Sequence, residues 1–126
     1  MRRLSLWGPV VGFMVAIFFV SAQSSLPVRV DVSDKLLHAC AYGFFGLLCQ
    51  RAFHGGLRPL RLRPVIGALL LVLGYALLDE YHQSKVPGRH ASGWDWVADA
   101  VGAFVAVPVM AILSSLRRPA PSTVKK

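Results

Sequence analysis

Three short polar series interrupt an otherwise apolar chain: Asp34, His38 and Tyr42; Asp79, Glu80, His82 and Gln83; and Asp95 and Asp99, followed by Gly102. Spacings of three and four residues put each series on one face of an α-helix, with Glu80 beside the face of Asp79, His82 and Gln83. Carboxylates brought together where water is scarce suit general-acid chemistry, and His38 could serve as the base. Asp79, Glu80 and Asp99 are the candidate acids. The pattern equally suits a binding pocket. In that pocket Lys35 and Arg89 would grip an anionic group such as a lipid phosphate, with the carboxylates holding those bases in place. Histidine and carboxylate could also hold a divalent metal, but no spacing such as HExxH supports one. No metal and no cofactor is therefore expected. P-loop, GxSxG and CxxC motifs are absent from the sequence.

The elements that must position these residues are four apolar segments, at about 4–22, 36–53, 65–81 and 94–116. Each approaches the ~20 residues that cross ~30 Å of hydrocarbon. The 126 residues are 55% hydrophobic and only 16% charged, against about 25% in soluble domains. Uninterrupted apolar runs span lipid as helices, and short connections make neighbouring helices antiparallel. The expected fold is all-α, an integral membrane bundle of four antiparallel transmembrane helices over residues 1–118. Residues 119–126 are expected to form a disordered cytoplasmic tail.

Fourteen Lys and Arg give a net charge of +8. They flank apolar runs instead of forming a stripe with aromatics, which argues against nucleic acid and for membrane lipids. Ten of them lie at the ends opposite the acidic residues: Arg2 and Arg3, the loop arginines 51, 58, 61 and 63, and the basic tail. The positive-inside rule then puts both termini in the cytoplasm of a bacterial inner-membrane protein and the acidic cluster outside. All six acids, Asp31 included, belong to that outer side. Charged groups at membrane depth avoid lipid, so the three stripes should turn toward one another as an outward-opening pocket rimmed by Arg89 and Lys35. The first segment also resembles a signal peptide with a cleavage site at Val20-Ser21-Ala22, although its apolar stretch is long for that role.

Local signals fill in the rest. Pro87-Gly88 marks a turn, and Ser92 with Asp95 reads as a capping box opening the last helix. Asp34 and Asp95 could act only as caps, and Lys35 and Arg89 could simply snorkel to headgroups. Gly102 with Ala106, and Gly43 with Gly46, would let helices approach closely. Pro108 would kink the last helix. Tyr42, Trp94 and Trp96 could be interfacial aromatics, and His82 and His90 are expected in solvent. Cys40 and Cys49, about 13 Å apart along a helix, cannot bond to each other and read as small core residues.

Asp34, Lys35, His38 and Tyr42, then Asp79, Glu80 and Gln83, then Pro87, Gly88, Arg89, Ser92, Asp95, Asp99 and Gly102, resemble in order and spacing the VanZ-like family of bacterial membrane proteins. The likeness covers about 34–106, and Asp99 departs from it by standing where Asn is expected. The resemblance implies a four-helix envelope protein whose namesake is associated with low-level resistance to the glycopeptide teicoplanin. It implies no reaction. Three functions follow. The first is a pocket binding a lipid headgroup, a lipid-linked cell-wall precursor or a partner. The second is an intramembrane enzyme acting on a lipid-linked phosphate. The third is a small transporter with Asp99 and His38 as proton relay, which would need a homodimer.

Overall fold

The structure, a computed structural model, describes residues 1–24 and 33–117. The expectations for Asp31 and for the tail fall outside these. Four α-helices occupy the described residues: α1 (Arg2–Ser21), α2 (Asp34–Phe53), α3 (Leu62–Gln83) and α4 (Gly93–Leu116). α1, α3 and α4 are each long and apolar enough to cross a membrane. α2 has 20 residues, the same length as α1. Its apolar content is diluted by Asp34, Lys35, His38, Gln50 and Arg51.

Large apolar side chains point outward. Phe19, Leu70, Leu78, Val101 and Phe104 are exposed, while much of the core is small: Ala68, Val72, Ala76, Ala103 and Ala106. Lipid rewards this distribution, because close backbone approach, not large-side-chain burial, holds helices together there. The tightest contact joins α2 to α4. A Cβ on Gly102 would lie 2.1 Å from the Ala39 carbonyl oxygen and 2.7 Å from the Gly43 nitrogen. On Gly46 it would lie 2.8 Å from the Ala106 Cβ. α3 packs on both of these helices, and α1 packs on α2 and α3. α1 is pinned by Tyr75, whose hydroxyl donates to the Met14 carbonyl at 2.6 Å. Phe13 packs against Phe44 and Phe45, and Trp7 against Phe53.

Two turns are set by glycine. α2 ends in a Schellman motif, with Gly56 N–H on the Arg51 carbonyl at 2.8 Å and Gly55 N–H on Ala52 at 3.1 Å. Gly55 takes the left-handed conformation this requires, at φ 69°. The His54 ring clamps the same turn. Nδ1–H donates to the Gln50 carbonyl at 2.8 Å and Nε2 accepts from Arg61 N–H at 3.0 Å. Between α3 and α4, Arg89 N–H reaches the Val86 carbonyl at 3.1 Å across Pro87 and Gly88, and Gly88 has φ 81°. This is a type II turn, as the Pro-Gly pair demands.

Two local readings change. The Ser92 hydroxyl caps α4 by accepting from Trp94 N–H, but Asp95 does not complete a capping box because its carboxylate is taken by Lys35. The reciprocal bond comes from another helix, with Ser92 N–H donating to Glu80 Oε2 at 3.0 Å. α4 continues as one helix through Pro108. Of the cysteines, only Cys49 is buried, whereas Cys40 is exposed on the outer face of α2.

Candidate functional site

The first two turns of α2, the last turn of α3 and the first two turns of α4 meet at one end of the bundle. The Gly43–Gly102 contact sits just below and brings α2 and α4 close enough for short side chains to touch. Nearest this end Lys35 pairs with Asp95 across α2 and α4. Asp95 is 5% exposed, so the lysine neutralises a carboxylate that water barely reaches.

One turn deeper, His38 Nδ1 lies 2.9 Å from Asp99 Oδ1. Its Nε2 is 3.9 Å from Asp34 Oδ2. Asp99 is fully buried, and its second oxygen, Oδ2, has no hydrogen-bond partner among the described residues. Glu80 enters this level from α3. Its Oε2 holds Ser92 N–H, while Oε1 is buried and has no partner among the described residues. Two sets of three donor atoms, one each from Asp34, His38 and Asp95 and one each from His38, Glu80 and Asp99, lie within 4.8 Å of one another.

Deeper still, the Tyr42 hydroxyl donates to Asp79 Oδ2 at 3.1 Å, and Gln83 Nε2 donates to the same oxygen at 3.2 Å. Gln83 also reaches Ser21 Oγ of α1 at 3.3 Å. Tyr42, Asp79 and Gln83 are all buried, so this level ties α1, α2 and α3 together away from water.

Beside this ladder lies a cavity of about 230 Å³. α1 supplies one wall, with Phe13, Ala16, Ile17 and Val20. Asp34, His38, Tyr42, Asp79, Gln83 and Arg89 form the other. Arg89 has no carboxylate within 4.0 Å among the described residues.

The sequence candidates thus divide. Asp34, His38, Tyr42, Asp79, Gln83 and Arg89 line the cavity, whereas Lys35, Glu80, Ser92, Asp95 and Asp99 do not. Lys35 is therefore not a rim cation: it faces α4, and only Arg89 of the expected pair borders the cavity. The carboxylates hold Lys35 as expected but, among the described residues, not Arg89. His90 is exposed as expected. His82 is not simply solvated. Its ring stacks on Phe18 at 4.5 Å, 7° from parallel. Trp94 is exposed, but Trp96 turns inward and donates from Nε1 to the Leu73 carbonyl at 3.3 Å. The α1 contribution was missed altogether. Its single available signal was Ser21, a hydroxyl at the end of a long apolar run.

No curated protein and no solved structure matches this chain. A family model described as VanZ/LLP1 matches residues 13–114, which takes in the cavity, the carboxylate ladder and the helices that carry them. The chain is a membrane protein of the VanZ/LLP1 family.

Proposed function

We propose that this chain is a four-span, up-and-down antiparallel envelope protein whose outward-facing cavity binds a lipid through its phosphate headgroup. Both termini then lie in the cytoplasm of a bacterial inner membrane, as the arginine distribution favours. The observation that carries this reading is the two-sided cavity, with apolar side chains of α1 facing Arg89, His38 and Asp34. An acyl or polyprenyl chain suits the first wall. A phosphate suits Arg89, whose planar fork meets two phosphate oxygens at once. Asp34 on the same wall would accept hydrogen bonds from hydroxyl or ammonium groups of that headgroup, which favours a phosphodiester with a polar tail over bare phosphate.

Native mass spectrometry of the purified chain with co-purified lipid tests it. Arg89→Ala should strip a retained phospholipid or polyprenyl phosphate while helicity stays at the parent level. Full retention by a folded Arg89→Ala variant defeats the proposal. Occupying a cell-wall precursor in this way would lower susceptibility to teicoplanin modestly. Comparing growth of strains with and without the gene in the drug tests that consequence.

One observation favours a second reading, catalysis on the bound lipid phosphate. His38 is oriented by the fully buried Asp99 and borders the cavity. An imidazole fixed by a carboxylate on one nitrogen is built to accept a proton on the other. Incubation with polyprenyl-phosphate lipids is the assay. Absence of turnover, with or without added metal, removes this reading and leaves the binding one.

A further inference from the structure

We infer that His38, Glu80 and Asp99 form a site for a divalent first-row transition-metal ion of the zinc or manganese type. Each residue comes from a different helix, and one donor atom from each lies within 4.8 Å of the other two. Bonds of roughly 2.0–2.2 Å keep two donors no more than about 4.4 Å apart, so side-chain movements of about an ångström close the set.

The independent observation is a pair of orphan oxygens. Asp99 is fully buried, yet its Oδ2 meets no donor among the described residues, and the buried Glu80 Oε1 is in the same condition. Buried carboxylate oxygens are paired or coordinate a metal, because leaving them bare forfeits the hydration they gave up. The two orphans belong to two of the three residues in the triad. Their neighbours offer no remedy. Asp34, Asp79 and Asp95 add negative charge, Lys35 is committed to Asp95, and Tyr42 and Gln83 are committed to Asp79. A dication answers the excess directly.

The donor chemistry narrows the choice. An imidazole beside two carboxylates suits zinc or manganese better than calcium or magnesium, which take oxygen ligands, and the set lacks the thiolates that select copper(I). Three protein ligands leave coordination positions open. His38 borders both this triad and the cavity, so those positions lie beside whatever the cavity holds. The site does not depend on the headgroup reading, since Arg89 is not one of its ligands.

The test uses the full chain in detergent micelles, stripped with a chelator and titrated calorimetrically with Zn²⁺ and with Mn²⁺. One ion should bind per chain. Glu80→Gln keeps an acceptor oxygen for Ser92 N–H and should fold, as circular dichroism would verify, but should bind at least tenfold more weakly. His90→Ala, an exposed histidine away from the cluster, should bind like the parent. No saturable binding, equal affinity in Glu80→Gln, or loss of binding in His90→Ala overturns the inference. Should Glu80→Gln fail to fold, the Mn²⁺-loaded parent decides. Electron spin echo modulation from one imidazole nitrogen supports the site, and its absence sinks it. A failed metal titration leaves lipid retention by Arg89 unaffected, so the two proposals fall separately.

Discussion

Gly102→Ala adds a single methyl group at the point where α4 crosses α2. The new carbon would sit 2.1 Å from the Ala39 carbonyl oxygen and 2.7 Å from the Gly43 nitrogen. Both are backbone atoms of a helix, so no side-chain rotation relieves the clash. An ordinary contact of about 3.4 Å requires the helices to separate by about 1.3 Å. Overpacking of a well-filled interior costs about 1–3 kcal/mol, and an unyielding backbone puts this case near ~3 kcal/mol. That is a change of about a hundredfold in the folded-to-unfolded ratio. The damage also reaches the site. The His38–Asp99 contact at 2.9 Å spans the same two helices one turn away, and the same separation stretches it to about 4 Å, beyond hydrogen-bonding range. Reversible unfolding in mixed micelles, followed by circular dichroism, measures the loss. Gly74→Ala is the control, since nothing lies within 4 Å of its would-be Cβ; it should be neutral or stabilising by up to about 1 kcal/mol. A Gly102→Ala protein within about 0.5 kcal/mol of its parent would refute both the close crossing and the argument that it sets the site's dimensions.

Three further outcomes follow from the packing. Tyr42→Phe leaves Asp79 Oδ2 with Gln83 as its remaining donor and should cost about 1–2 kcal/mol; an unchanged unfolding midpoint would mean the buried bond is absent. Tyr75→Phe removes the hydrogen bond pinning α1 at Met14 and should cost about 1 kcal/mol, with faster protease cleavage after α1; equal cleavage rates would contradict it. Cys40 should react with a membrane-permeant maleimide in the folded chain while Cys49 reacts only after unfolding, as mass spectrometry of the labelled peptides would report.

The apolar runs located every helix, because the need to satisfy backbone groups in lipid leaves a long hydrophobic stretch little alternative. The polar series showed that the helices extend beyond those runs. α2 begins at Asp34 and α3 continues to Gln83, because a helix carries on through its polar stripe after the lipid-matching residues stop. Spacing also identified which residues share a face, so the meeting of His38, Asp99 and Glu80 was legible. Partnership was not. Whether Lys35 turns to the cavity or to Asp95 depends on the rotation of α2 against α4, and the backbone contact at Gly102 fixes that rotation. The α1 wall was hidden for a related reason. An apolar helix facing lipid and one facing a half-apolar cavity have the same composition, and only Ser21 carried any trace of the difference.

Glu80 does two things at once. One oxygen holds the first free N–H of α4, while the other stands bare beside His38 and Asp99. The start of one helix is thus latched by a carboxylate rooted in the previous one, and the strand of backbone between them carries Arg89 only three residues ahead of the latch. Two chemically unlike groups, one anionic and one cationic, thus share a single short tether.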